Sequence, residues 1–398
     1  MSLDRNCCLK TGGGACRVVI AIDSFKGSLS SIEAGEAAAT GVRRALPTAK
    51  CAVRPLADGG EGTVDALVAG LGGERVSVRV TGPAGRPVTA TYGLVPGGLA
   101  VMEMAEAAGI TLVSGAEKNP LHTTTYGVGE MILDAIEHGA KKFVIGIGGS
   151  ATNDGGAGML EALGWRLLDA DGNVIPRGGA GLAKLAKIEV PQDFGAQLAA
   201  LDFKVACDVT NPLCGPNGAS AVFGPQKGAT PAMAKELDAA LSNFAAVAQS
   251  VDPDNRAVEL FPGAGAAGGL GFAFKAFLNA ELVPGVDLIL NETRLEEFVR
   301  DADIVITGEG RLDGQTVMGK APIGVARLAK RFGKKVLAFS GVLGDGVEQV
   351  NEAGIDAYFP ILRKIVTLEE ALDVGNAAAN LANAVEQAFR LYSLCVTR

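Results

Sequence analysis

Short apolar runs alternate with amphipathic ones along most of this chain, and nearly every apolar run ends in a polar, glycine-rich stretch. Val18 to Ile22 is β-branched and leads into Asp23-Ser24-Phe25-Lys26-Gly27-Ser28; Ser30 and Glu33 then form a capping box for a helix. Apolar or small residues at 32, 35, 39, 42 and 46 give that helix one inward face, and Pro47 ends it. A second strand at Ala52 to Leu56 runs into Ala57-Asp58-Gly59-Gly60-Glu61-Gly62-Thr63, after which Val64, Leu67, Val68 and Leu71 keep helical spacing up to Gly72. Strand, polar loop, helix, repeated twice, predicts a parallel sheet with ligands at the carboxyl ends of its strands.

From Val76 to Met104 the period changes to two, with a Gly82-Pro83-Ala84-Gly85-Arg86-Pro87 turn between alternating runs, which predicts a hairpin and a domain boundary near 75–80. A helix follows at about 126–138, then a strand at the apolar run before Gly146 and, after Trp165 to Leu168 and a polar, glycine-rich stretch, another at Lys204 to Cys207. The first texture returns with a strand at Asp303 to Thr307, a loop over 308–320, a helix at Pro322 to Phe332, a strand at Val336 to Phe339 and a final helix over about 368–392. The expected organisation is an α/β fold in which 17–79 and 286–398 make one discontinuous domain, 80–285 an inserted α/β domain, and 1–16 a disordered extension.

One stretch, 144–158 (VIGIGGSATNDGGAG), takes a strand straight into a turn built from glycine and small polar residues. Glycines let the backbone take positive φ and let a ligand approach the main chain. A helix starting at Ala157 would turn its free N–H groups toward the loop, which suits a phosphate or carboxylate. Gly146-x-Gly148-x-x-Ala151, with Asp169 further on, also fits a dinucleotide fingerprint, whereas no Gly-Lys-Ser/Thr closes the loop as a P-loop requires.

Composition narrows the field. A length of 398 residues favours two or three domains, and 48% hydrophobic residues with 55 glycines describe a globular, glycine-looped chain. A net charge of −8 argues against nucleic acid or an anionic membrane as partner. No apolar run reaches the ~18 residues of a membrane span. Seven cysteines without a paired motif fit free thiols in the cytoplasm. Two histidines, His122 and His138, leave acid–base work to carboxylates.

The strand-end loops collect Asp23, Ser24, Lys26, Asp58, Glu61, Asp154, Asp208, Asn211, Lys227, Glu309, Arg311, Asp313 and Lys320. Carboxylates for Mg²⁺, cations for phosphates and exposed backbone N–H groups are the parts of phosphoryl transfer, where catalysis is mostly positioning and charge stabilisation. The stretches DSFKGSLS (23–30), LADGGEGT (56–63), GIGGSATNDGGAG (146–158), CDVTNPLCGPNGAS (207–220), FGPQKGAT (223–230), GAGAAGGLG (263–271), TGEGRLDGQT (307–316) and GKAPIGVA (319–326) resemble the bacterial glycerate kinase family, type 1, over essentially 17–392. Ile22 and Cys214 depart from that pattern without touching a charged position. The resemblance implies phosphorylation of D-glycerate to a phosphoglycerate with ATP and Mg²⁺, in two α/β domains, one Rossmann-like and one flavodoxin-like, that share an interdomain cleft.

Residue chemistry assigns the roles. Asp58 is the expected general base, with Asp208 or Asp313 as the alternatives, and Lys26 and Arg311 grip the glycerate carboxylate or the transferring phosphoryl. Asp208 and Glu309 are the expected magnesium ligands. Ser24, Gly148, Gly149, Ser150, Asn153, Asp154, Asn211 and Lys227 are the expected substrate and nucleotide contacts. D-glycerate is the expected partner, and the chain is expected to be a monomer or homodimer. The rivals are an NAD(P)-dependent oxidoreductase, resting on the fingerprint and Asp169, and a non-catalytic binder of small acids.

Overall fold

In the computed structural model, which describes residues 15–191, 195–251 and 258–396, the apolar runs become β1 (Arg17–Ile22), β2 (Lys50–Val53), β3 (Glu74–Thr81), β4 (Pro87–Val95), β5 (Leu99–Glu103), β6 (Lys142–Gly146), β7 (Arg166–Leu168), β8 (Lys187–Glu189), β9 (Asp202–Ala206), β10 (Glu281–Val283), β11 (Ile304–Leu312), β12 (Lys335–Leu343) and β13 (Ala357–Pro360). The chain divides into two compact units, one holding residues up to Asp58 together with those from Ile289 onward, the other Gly59–Leu288. The fold is α/β, and each unit has parallel strands at its centre.

The first unit is a five-stranded parallel sheet in the order β13-β12-β11-β1-β2. β1 lies between β11 and β2 with helices packed on it, so Val18 to Ile22 are all buried, which is why that run is continuously apolar instead of alternating. Ser30 caps the helix Ser31–Ala45 through the full capping box with Glu33. That helix packs on the long helix Val374–Val396, and a Cβ at Gly41 would strike the Ala382 carbonyl, so the two backbones meet there. Ala34, Ala38 and Val42 thereby share one core with Leu381, Val385 and Phe389.

The second unit carries a six-stranded sheet, β10-β9-β6-β5-β4-β3, in which β3, β4 and β5 are antiparallel and β5, β6, β9 and β10 parallel. A smaller antiparallel pair, β7 and β8, lies apart from it. Phe143 stacks on Phe203 at 4.7 Å, and Phe244 meets Phe272 edge-on at 5.4 Å, in the core of this unit.

Several expectations shift. The first unit ends at Asp58 and not at 79, because the helix Thr63–Leu71 packs on β4 and β5: a Cβ at Gly93 would meet Val68 and Val64. Gly308 to Leu312 continue β11 instead of looping, since Gly308, Glu309 and Arg311 pair with Phe339, Ser340 and Val342 of a longer β12. The final helix is two helices, Leu368–Leu372 with its own Thr367/Glu370 capping box, and Val374–Val396. Residues 1–14, with Cys7 and Cys8, lie outside the described residues, but Cys16 does not belong to a loose tail. It packs half-buried on the first core, and its carbonyl accepts the Lys50 N–H at 2.8 Å. Among the described residues no helix is long and apolar enough to cross a membrane.

Candidate functional site

In the first unit the carboxyl ends of β1 and β11 and the loop after β2 bring charged side chains together. The Ser31 hydroxyl donates to the Ile22 carbonyl at 2.6 Å and accepts the Leu56 N–H at 2.7 Å, which ties the end of β1 to the chain just before Asp58. Asp23, 6% exposed, follows β1 and accepts the Ser24 N–H at 2.6 Å. Burial raises its carboxyl to about 7; the negative charges of Asp58 and Glu309 add to the rise, and the Ser24 N–H and Lys26 oppose it. Glu309 is 8% exposed, accepts the Thr316 hydroxyl at 2.8 Å and has Lys320 at 3.8 Å. Its carboxyl is likewise raised, chiefly by burial. In sequence Asp23 is one of the charged loop residues; the cue to its burial is its place directly behind an unbroken apolar strand, where a side chain has little water.

Arg311 is drawn to Asp313, its Nε donating at 3.0 Å, and its side chain stays 65% exposed. Asp313 accepts the Gln315 N–H at 2.9 Å, and its own N–H donates to Thr316, so it also shapes the turn beyond β11. Lys26 is exposed and Ser24 half-buried on the loop after β1.

The glycine-rich loop after β6 in the second unit splits into an open part and a closed part. Gly148 and Gly149 are exposed, and a Cβ at Gly148 would meet nothing within 4 Å. From Ser150 to Asp154 the chain is buried. Asp154 accepts the Thr125 N–H (2.8 Å) and hydroxyl (2.9 Å) and the N–H groups of Gly156 (3.2 Å) and Gly158 (3.3 Å). Burial raises this carboxyl, and the four donors that converge on it pull the other way. Lys227, 1% exposed, donates to the Thr152 carbonyl at 2.6 Å, and burial pushes its ammonium down to about 7 against the pull of Asp154. Asp154 and Lys227 therefore hold the loop from behind. Asn153 is buried too, donating to Ser220 at 2.9 Å; its Oδ1 and the neighbouring Thr152 Oγ1 have no hydrogen-bond partner among the described residues.

The small-residue loop 263–271 backs the same turn. Ala267, Gly268 and Gly269 are left-handed in succession, with φ of 51°, 71° and 93°; the Gly268 carbonyl accepts the Gly155 N–H at 3.0 Å. A Cβ on Gly268 would strike the Thr152 carbonyl.

Asn211 donates to the Asn217 carbonyl at 2.8 Å, and Asp208 accepts the Gly285 N–H at 2.9 Å. Asp208 lies in the second unit and Glu309 in the first, so the expected magnesium pair is not one cluster within either unit. Among the described residues no group of three or more His, Cys, Asp or Glu is arranged as a metal cage. Asp169, the support for dinucleotide binding, accepts the Asn173 and Asp171 N–H groups at 2.9 and 3.0 Å in an exposed turn beyond β7, a strand of the small antiparallel pair. It closes that turn instead of reaching a ribose from the parallel sheet.

Two α/β units whose parallel strands end in buried carboxylates, lysines and open glycine backbone define a protein equipped for phosphoryl transfer. The chain belongs to the glycerate kinase family, whose model matches residues 18–393. It is 49% identical over 371 residues to a glycerate kinase of Halalkalibacterium halodurans, covering 92% of this chain and 97% of that one. It is 48% identical over 375 residues to the glycerate 2-kinase of Escherichia coli strain K12, with 92% and 97% covered. A crystal structure from Salmonella typhimurium LT2, of a protein assigned as glycerate kinase 2, superposes with a TM-score of 0.88 at 47% identity, covering 96% of this chain and 99% of that one.

Proposed function

We propose that the protein is a cytoplasmic glycerate kinase, transferring the γ-phosphoryl of ATP to a hydroxyl of D-glycerate. The observation that carries this reading is the set formed by Asp23, Asp58 and Glu309 with Lys26 and Lys320 beside them, in a chain of this family. Transfer to the 2-hydroxyl is favoured by the likeness to the E. coli glycerate 2-kinase.

Asp58 takes the proton of the attacking hydroxyl, a task left to carboxylates in a chain with two histidines. Buried Asp23 beside it has a carboxyl near 7 and so adds less than a full negative charge at neutral pH. Lys26 and Arg311 bind the glycerate carboxylate or the moving phosphoryl, and the open Gly148–Gly149 backbone with Ser150 receives nucleotide phosphates. Mg²⁺ takes oxygen donors and is usually held by one or two carboxylates together with substrate phosphates, so a single carboxylate beside ATP would suffice to hold it; when bound it would neutralise phosphate charge. Glu309 is our preferred protein ligand. Asp208, whose Oδ1 accepts the Gly285 N–H, is the alternative.

A coupled ADP-release assay with D-glycerate, followed by NMR of the product, tests the reading. Phosphate on the 2-hydroxyl supports it; no glycerate-dependent ADP release would sink it. Asp58→Asn keeps shape and removes the charge, and turnover should fall roughly 10²–10⁴-fold with little change in ATP affinity.

A further inference from the structure

One row across the second unit's sheet joins Glu103 at the end of β5, Gly146 at the end of β6 and Ala206 at the end of β9, each paired with the next. The stretch Gly59–Val64 is held by this row at both of its ends. At the first, Gly59 (φ 89°) lies so close that a Cβ on it would come within 2.7 Å of the Ala206 Cβ and 2.8 Å of the Gly285 Cα, and a Cβ on Gly146 would strike the Gly59 carbonyl. At the second, the helix Thr63–Leu71 has Gly62 as its N-cap and no capping side chain of its own. Glu103 supplies what is missing: its Oε1 accepts the Val64 N–H at 3.1 Å, and the Gly62 N–H also bonds to it. Small residues in the row let the backbone come close, and the single long one fastens it.

We propose that Glu103 is a positioning residue for the reaction, fixing the turn that begins one peptide bond after Asp58 and so setting where the Asp58 carboxylate stands. The inference rests on the reading of Asp58 as the base. An anion at a helix N-terminus is favoured by the helix dipole, which is a second reason for a carboxylate here and not an amide. Glu103 keeps it in a demanding place: burial raises its carboxyl to about 7, the two N–H donors oppose that, and Glu106 and Asp65 add to the rise.

Because displacement of a catalytic group by about 1 Å can cost on the order of 10²-fold in rate, losing the clasp should be felt in kcat. Glu103→Ala should lower kcat by roughly 10–100-fold with KM for ATP nearly unchanged. Glu103→Gln, which still accepts one N–H, should restore most of it. The deciding measurement is the double variant: in an Asp58→Asn background, Glu103→Ala should cost nothing further in kcat, because there is no base left to misplace. A purely structural role would lower the melting temperature equally in both backgrounds and multiply the two losses of activity. Should Glu103→Ala fail to fold, Glu103→Asp, which withdraws the carboxylate by one methylene, takes its place in the same cycle. Multiplying losses, or a folded Glu103→Ala with full kcat beside an inactive Asp58→Asn, would overturn this inference alone. A fully active Asp58→Asn would overturn the base assignment and this inference with it.

Discussion

Replacing Asp23 with asparagine should stabilise the fold by an amount that grows with pH. The native carboxyl releases its proton near 7, against 3.8 for the ordinary group, mainly because burial disfavours the charged form and Asp58 repels it. Below 3.8 both folded and unfolded chains hold the proton, and the neutral carboxyl costs nothing. As the pH rises toward 7 the unfolded chain gives up its proton while the folded one keeps it, so the wild type loses about 1.4 kcal/mol per pH unit; above 7 the loss levels off. The whole window amounts to about 4 kcal/mol, and the part between pH 5 and 8 to about 3 kcal/mol. Asparagine can still accept the Ser24 N–H and titrates nowhere in this range, so the variant escapes the loss. Urea unfolding of both proteins at pH 5, 6, 7 and 8, followed by circular dichroism, should show the advantage of Asp23→Asn growing to neutrality and then flattening. A difference that does not change across that range would refute the assignment of a buried, charge-crowded carboxyl to this position.

Lys227→Met fills the buried space but leaves the Thr152 carbonyl without its donor, and should destabilise the second unit by about 1–3 kcal/mol in the same unfolding assay. If the lysine instead served a phosphate directly, ATP affinity would collapse while stability held. Gly268→Ala places a methyl on the Thr152 carbonyl at a left-handed residue, so the variant should melt well below the wild type, whereas Gly148→Ala, open on all sides, should melt with it. Mg-ATP with D-glycerate should raise the melting temperature more than either alone, and equal shifts with and without glycerate would count against a ternary complex.

Much of the site's chemistry was legible in the strand-end pattern, because a parallel sheet forces its loops to one edge and charged residues among glycines have no packing role there. That pattern singles out Asp58, Lys26 and Glu309 as candidates. Depth was not legible. Asp154 and Lys227 have the same loop setting in sequence as Lys26, and only the fold reveals that four donors close around one and that the other ends on a main-chain carbonyl. Gly308 and Gly310 read as loop residues, yet Gly308 lies flat against β12, where a Cβ would strike the Phe339 carbonyl. The place of Thr63–Leu71 is hidden for a related reason: its apolar face is evident from spacing, but which sheet receives that face depends on Gly93 in β4, far along the chain from the Val64 and Val68 it meets. Glu103 closes an apolar strand and has no glycine beside it, so nothing in its sequence setting marks it.

The order of the first sheet has a consequence for how the protein is made. β1 sits between β2 and β11, and roughly 250 residues separate Val53 from Ile304, a span of about 10–50 s at ordinary rates of synthesis. Gly59–Leu288 can therefore fold on the ribosome while Val18 to Ile22, destined to be wholly enclosed, have β2 but no partner on the other side. For that interval the nascent chain displays an open, water-shy strand edge, so its yield in a cell should depend more on chaperones that shield emerging apolar segments than on the stability of the finished fold.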